Sequence, residues 1–445
     1  MIKQMDIVHA IESLFPKKWI KEYRVLKRNV TAYRKKKCIH KKYRKIREEK
    51  RSIRIVFFAL VSSNWKFDYL YRLLEKDANF EPFILVCPVV NKGREYMLYE
   101  LNATWSMLSN KGYIVYKAYD ENTDTYIDVK NLKPDIIFYT NPYKGLVDDR
   151  YYIDKYPDIL SCYANYSFEI IPHEFAFNTP FHEAVWRYFV ETEYTLNLVK
   201  KYSRTSGRNA VNVGYPMFDC FREHVDDSPY WKIKDRKVKR IIWAPHQSII
   251  PIDKNDRNQV AVQFSTFLLY SDFMLELAKM YKNQVQIVFK PHQLLRLNLY
   301  EHPDWGREKT DSYYELWEKG DNTNYCSSDY VDLFKSSDAL IHDCGSFTAE
   351  YMCMKKPVMY LANYITESDF NDVGTKLFNA HYKGMSTDDI ENFISDVVIK
   401  GEDSMATVRH SVYQNVLLPP NGLTASQNII NEIKNEILYE AYEDK

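Results

Sequence analysis

The sequence predicts an α/β protein built from two Rossmann-like units, each a doubly wound parallel sheet, with a cleft between them and a basic amphipathic helical segment in front. Three observations predict this. From residue 52 onward, short β-branched or apolar runs alternate with helical periodicities, the pattern of a parallel sheet wrapped by helices. The alternation occurs twice, with a charged stretch carrying Pro229 between the two sets. The 445 residues suffice for two to three domains, and 45% hydrophobic with 27% charged residues excludes general disorder.

Taken in order, residues 6–15 place Ile7, Ile11, Leu14 and Phe15 on one helical face, and Pro16 stops that helix. Trp19, Tyr23, Leu26, Val30 and Tyr33 then recur at 4-3-4-3 spacing, and Ile39, Tyr43 and Ile46 continue on a shifted face. Residues 17–54 hold 18 Lys/Arg against 3 Asp/Glu, so a net charge of +1 hides a basic arm on an acidic body. Such an asymmetry points to an anionic partner for the arm alone. Its aromatic-bearing apolar side suits a membrane headgroup region. A solvated helix packed on the acidic body competes with that reading, and no nucleic-acid motif accompanies the arm.

The first set of predicted strands is 53–61, 83–89, 113–117, 135–139, 160–163 and 210–213, with helices at 66–76 and 95–110. The second set is 240–243, 284–289, 339–342 and 358–361, with helices near 262–281, 330–336 and 346–354. A last helix covers about 424–441. The division is an arm at 1–51, a first domain at 52–218, a linker at 219–236, a second domain at 237–423 and a C-terminal helix at 424–445. No apolar run reaches the length of a membrane span, and the start lacks a signal core. Seven scattered cysteines without a CxxC pair read as free thiols in a reducing compartment and speak against structural zinc. The expected location is cytoplasmic, peripheral at the inner face of the membrane.

Three motifs in the second set fall where open α/β sheets bind ligands, beyond the C-terminal ends of strands. Trp243-Ala244-Pro245-His246-Gln247-Ser248 follows one predicted strand, and Phe289-Lys290-Pro291-His292-Gln293 follows the next. In the third, His342-Asp343-Cys344-Gly345-Ser346-Phe347-Thr348-Ala349-Glu350 joins a strand to a helix through small residues. Gly345 would let backbone approach a ligand, and Ser346 would cap a helix whose first N–H groups suit a phosphate. The plainer reading is an ordinary capped helix without a ligand. Two Pro-His pairs at converging strand ends carry more weight than either alone, since such histidines can bind or protonate a pyrophosphate. Lys290 can add charge there.

Together these motifs, with Trp65-Lys66-Phe67-Asp68, Gly214-Tyr215-Pro216-Met217-Phe218-Asp219 and Asn421-Gly422-Leu423-Thr424-Ala425-Ser426, resemble the CDP-glycerol glycerophosphotransferase family of teichoic-acid and capsular polymer synthesis. The likeness covers most of residues 52–440 and is strongest over 239–361. It implies a GT-B-like fold, with the acceptor in the N-terminal half and a CDP-activated donor in the C-terminal half. It implies His246 and His292 as catalytic contacts to the donor phosphates. Ser248, Lys290, Asp343, Gly345, Ser346 and Thr348 would line the donor site, and Glu350 would lie near the ribose. No metal-ligand set appears in the sequence and the resemblance does not demand one; no cofactor is expected, the nucleotide donor being the substrate.

The sequence departs from the family in two places. The second motif reads Pro-His-Gln where the family has His-Pro, and no His-Gly pair follows an N-terminal-domain strand. The corresponding stretch is Cys162-Tyr163-Ala164-Asn165-Tyr166-Ser167-Phe168, followed by His173 and His182. The acceptor-activating base is therefore open between His173, the candidate catalytic residue, and His182; Tyr166 is a candidate substrate contact, though cleft wall is the simpler role for the tyrosine. The implied reaction moves glycerol phosphate, or a related polyol phosphate, to a lipid-linked or glycan acceptor. A nucleotide-sugar glycosyltransferase or epimerase of the same fold, and a non-catalytic scaffold lacking the base, are the alternatives.

Overall fold

The protein is described by a computed structural model covering residues 39, 41–171, 179–222, 227–249, 264–327 and 330–439. It forms two compact units, one from the described residues up to Ile53 with those from Asn431 on, the other Arg54–Ile430. In the first unit, residues 41–49 are helical. Tyr43 and Ile46, two members of the predicted apolar stripe, are buried, and the Tyr43 hydroxyl donates to Glu436 Oε2 at 3.4 Å. At these two positions the stripe is covered by protein and is not free to meet a bilayer. The rest of the stripe, Trp19 to Tyr33, lies outside the described residues.

The second unit carries two parallel sheets. The strands of the first are β1 (Ile53–Ala59), β2 (Phe80–Val86), β3 (Val115–Lys117), β6 (Ile136–Tyr139), β7 (Leu160–Ala164), β8 (Arg187–Val190) and β9 (Ala210–Asn212). They lie in the order β3-β2-β1-β6-β7-β8-β9, beside a small antiparallel pair of β4 (Tyr119–Asp120) and β5 (Thr125–Tyr126). The second sheet comprises β10 (Lys239–Ala244), β11 (Val285–Phe289), β12 (Thr323–Tyr325), β13 (Ala339–His342), β14 (Val358–Leu361) and β15 (Tyr382–Gly384). Its order is β12-β11-β10-β13-β14-β15. Strands β6, β7, β11, β13 and β14 are buried throughout, as strands with helices on both faces must be. That is why they stand out as uninterrupted apolar runs.

In both sheets the strand order reverses once, between β1 and β6 in the first and between β10 and β13 in the second. Ligands of open α/β sheets bind beyond the carboxyl ends of strands at such reversals. Register sharpens the point. Trp243 pairs with Phe289 and Ala244 with His342, so β10, β11 and β13 end level with one another. Beneath those ends a core of Trp243, Phe289, Trp317 and Phe267 is fully buried, with Trp243 and Phe289 ring centroids 5.0 Å apart.

The sequence reading missed β8, β12 and β15, and the short pair β4 and β5. β12 (Thr-Asn-Tyr) and β15 (Tyr-Lys-Gly) are the two edge strands of their sheet, only three residues each and partly polar. Short polar edges protect a sheet from further pairing, so they carry no apolar run to detect.

Two stretches that carried the family likeness meet just beyond β9. Asp219, fully buried, accepts from the Ala425 and Ser426 N–H groups at 3.3 and 2.7 Å, which caps the helix Ala425–Ile437 from a distant part of the chain. Gly214 has φ +93°, and a Cβ there would stand 2.7 Å from Pro419 Cβ. These motifs are therefore a structural joint. Removing a helix cap costs about 0.5–2 kcal/mol. Asp219→Ala should therefore lower the unfolding free energy, read from the shift of the denaturant midpoint, by the upper part of that range, and Asp219→Asn by less. An unchanged midpoint in Asp219→Ala would show that the joint contributes nothing.

Candidate functional site

Between the two sheets lies a cavity of about 1180 Å³, walled by loops after β1, β6 and β7 on one side and after β10, β11 and β13 on the other. Of the residues picked out from sequence, His246, Lys290, His292, Gly345, Ser346 and Tyr166 are on its wall. His173 lies outside the described residues.

The two histidines sit side by side, with ring centroids 5.2 Å apart. Level strand ends bring them together, and the His292 N–H donates to Pro245 O at 2.9 Å. The tautomer of each follows from a backbone donor. The Ser248 N–H points at His246 Nδ1 at 3.3 Å and the Leu294 N–H at His292 Nδ1 at 3.2 Å. An N–H can only donate, so both Nδ1 atoms accept and both neutral rings carry their proton on Nε2. Burial holds the His246 imidazole down to about 4 and that of His292 to about 3, the latter helped by His246 and Lys290 nearby. Two neutral rings, each with one Nε2–H to donate, therefore stand at the cavity wall at pH 7.

Ser248, Asp343, Thr348 and Glu350, expected as substrate contacts, do not line this cavity. Ser248 Oγ accepts from the Phe264 and Ser265 N–H groups at 2.9 and 3.2 Å, which leaves its own proton for His246 Nδ1 at 2.9 Å. Asp343 is fully buried. Its Oδ1 accepts from the His246 N–H at 2.5 Å, and its Oδ2 from the Thr266 N–H and hydroxyl at 2.6 and 2.8 Å. Burial pushes its carboxyl up to about 6 despite those bonds. Both residues hold His246 in place. The Thr348 hydroxyl donates to Cys344 O at 3.1 Å. Glu350, fully buried, receives the Tyr330 hydroxyl, lies 3.2 Å from the Tyr215 hydroxyl and stands 3.7 Å from Lys66 Nζ.

The expected Ser346 cap is also absent. Ser346 has helical angles (φ −64°, ψ −33°) and makes no capping bond to the short helix Phe347–Glu350, because the turn is already wound at that residue. Gly345 remains informative. A Cβ built there meets only Ile170 Cδ1 at 3.8 Å, an ordinary contact, so the fold does not itself require glycine. The Tyr166 hydroxyl stands 3.4 Å from that of Tyr143, on the neighbouring loop after β6.

Two wall residues escaped the sequence reading. Lys66, in the loop after β1, is buried and donates to the Tyr330 hydroxyl, so it faces the donor-side motifs from the other sheet. Glu169, after β7, lies on the wall with Ile171 N–H donating to its Oε1 at 3.1 Å. Lys66 belongs to a quoted motif, which was the available signal; nothing local distinguishes Glu169. Among the described residues, the cysteines at 87, 162, 220, 326, 344 and 353 are not joined in disulfides.

The sequence matches no protein-family model and no curated protein. In fold, the chain is similar to several solved structures. The S. aureus MnaA–UDP structure aligns at TM-score 0.54 and 13% identity, over 88% of this chain and 99% of that one. UDP-GlcNAc 2-epimerase from Neisseria meningitidis, bound to UDP-GlcNAc, aligns at 0.52 and 13%, over 86% and 99%. The wall teichoic acid polymerase TagF aligns at 0.51 and 15%, over 96% and 100%. The protein thus has the two-sheet GT-B-like architecture that the sequence predicts. No helix among the described residues is long and apolar enough to cross a membrane.

Burial of the histidines makes a pH signature. Each binds a proton near pH 6.5 when unfolded, but only near 3–4 when folded. The folded state therefore holds fewer protons, and stability falls as pH drops from 6.5 toward 3. Replacing His292 by Gln removes one such group, so its melting temperature should decline less steeply than wild type between pH 6.5 and 4. Parallel curves would place His292 in solvent instead.

Proposed function

We propose that the protein transfers a polyol phosphate from a CDP-activated donor to a hydroxyl of a lipid-linked or glycan acceptor in cell-envelope or capsule polymer synthesis. The observation that carries this reading is the pairing of His246 and His292 as Nε2–H donors on one wall, with Lys66 and Lys290 on the same cavity. A diphosphate presents several anionic oxygens, and fixed donors in a water-poor cleft are the elements that stabilise charge developing during phosphoryl transfer. In this reading the acceptor oxygen attacks the donor's β-phosphorus, and CMP leaves with its bridging oxygen held by His246 or His292. Gly345 leaves room for the donor, while Ser248 and Asp343 fix the His246 loop.

A second reading, nucleotide-sugar chemistry on the same scaffold, is supported by the similar structures that hold UDP and UDP-GlcNAc. Products separate the two. Incubation with CDP-glycerol or CDP-ribitol should release CMP, whereas release of a nucleoside diphosphate from a nucleotide sugar would favour the second. His246→Ala and His292→Ala should each lower turnover by about 10²-fold or more. Gly345→Ala should keep its melting temperature and bind CDP more weakly. Near-normal turnover in both folded histidine variants would remove the donor-site assignment.

The basic stretch 17–54 would keep the enzyme beside a lipid-linked acceptor at an anionic cytoplasmic leaflet. Each Lys or Arg close to such a surface contributes about 1 kcal/mol, screened by salt. The full chain should sediment with anionic vesicles at low salt and be released as salt rises. Equal sedimentation with neutral vesicles would refute an electrostatic anchor.

A further inference from the structure

The unassigned part of this reaction is the group that takes the acceptor's proton, and Glu169 stands where such a group is needed. It follows β7, on the wall formed by the sheet opposite the two histidines. Its segment is gripped from the other sheet. Asn371, the cap of the helix Asp372–Asn379, donates its side-chain N–H to Glu169 O at 3.1 Å and its backbone N–H to Ile170 O at 2.8 Å. The same segment touches the donor-side turn, since Ile170 Cδ1 is the nearest atom to a Cβ built on Gly345, at 3.8 Å. Glu169 is thus held at the junction where an acceptor on one sheet would meet a phosphate on the other. Its Oε1 is occupied by the Ile171 N–H, which orients the carboxyl group.

Resting on the phosphotransfer reading, we propose that Glu169 is the general base: its carboxylate takes the acceptor hydroxyl's proton. At the same time the acceptor oxygen bonds to the donor's β-phosphorus, and the bond from that phosphorus to the bridging oxygen breaks. The electron pair of the broken bond goes to CMP. Protons and charge balance, and no further reactant is needed.

The surroundings suit this task. Burial, with Glu191 nearby, pushes the Glu169 carboxyl up to about 8, so its ionised form is more basic than an ordinary carboxylate and grows in population as pH rises toward 8. Glu191 is itself buried at the end of β8, accepting from Asn165 Nδ2 and the Thr195 hydroxyl, both at 2.8 Å. Glu191 is a positioning residue that acts through Glu169. Among the described residues, Tyr166 on its own loop and Tyr188 on β8, both raised and neutral, also interact electrostatically with Glu169.

The test uses the full chain, CDP-glycerol as donor and a short synthetic polyol-phosphate lipid as acceptor, with CMP release and CDP affinity measured in parallel. Glu169→Gln keeps the oxygen that receives the Ile171 N–H. It should lower acceptor-dependent CMP release by about 10²–10⁴-fold and leave CDP affinity unchanged. Glu169→Asp should retain part of the rate, which guards against a folding artefact in the glutamine variant. Glu191→Gln should stay active and move the acidic limb of the pH–rate profile to lower pH, because it removes the charge that adds to burial in raising Glu169. Near-normal release in Glu169→Gln, or a comparable loss in His173→Ala alone, would overturn the assignment while leaving the transferase reading intact. A wild-type chain that neither binds CDP nor releases CMP would overturn the reading itself.

Discussion

Everything at the candidate site depends on β10 being paired in parallel to both β11 and β13 with their ends level. The pairing sets Trp243 against Phe289 and Ala244 against His342. Three loops far apart in sequence therefore leave the sheet side by side. The backbone of the second loop then bonds the first, through His292 N–H and Pro245 O, and Asp343 of the third loop receives the His246 N–H. A one-residue slip in either pairing would turn the side chains to the opposite face and separate the two imidazoles. The large buried rings beneath, Trp243, Phe289 and Trp317, oppose such a slip because no other register buries them equally.

The second requirement is that loops of the first sheet face those of the second. Here the protein places polar groups in its interior, which is costly unless each is satisfied. Glu350 receives the Tyr330 hydroxyl with the Tyr215 hydroxyl and Lys66 close by, and Asn371 uses both its backbone and side-chain N–H groups on the 169–171 segment. These bonds are directional where apolar packing is not. They therefore fix the orientation of cavity walls whose chemistry needs accuracy of about an ångström.

How much was legible from sequence follows from the same physics. Strands such as β11 and β13 read plainly because burial on both faces demands continuous apolar residues. Their edge neighbours β12 and β15 did not, since an edge is served by short polar segments. His246 and His292 were recognisable because a Pro-His pair directly after a buried strand has few structural duties. Asp343 and Ser248 lie in the same motifs, yet their side chains turn back to support a loop, and residue type alone does not distinguish support from contact. Glu169 was invisible for another reason. Its position is set by Asn371, some two hundred residues later, and its basicity by burial beside Glu191. Neither is a property of the local sequence. The Ser346 cap failed on one backbone angle, because the residue joined the helix it was expected to precede.

The central claim is that two neutral, Nε2-protonated imidazoles form the phosphate-facing wall of a CDP-donor site. It is tested most directly by nitrogen-15 NMR of histidine-labelled full-length protein titrated with CDP near pH 7. The account predicts Nε2-protonated neutral rings for His246 and His292 in the free protein, with saturable shifts of both Nε2 signals on binding. Saturable binding that leaves both signals in place, or no binding of CDP at all, would contradict it.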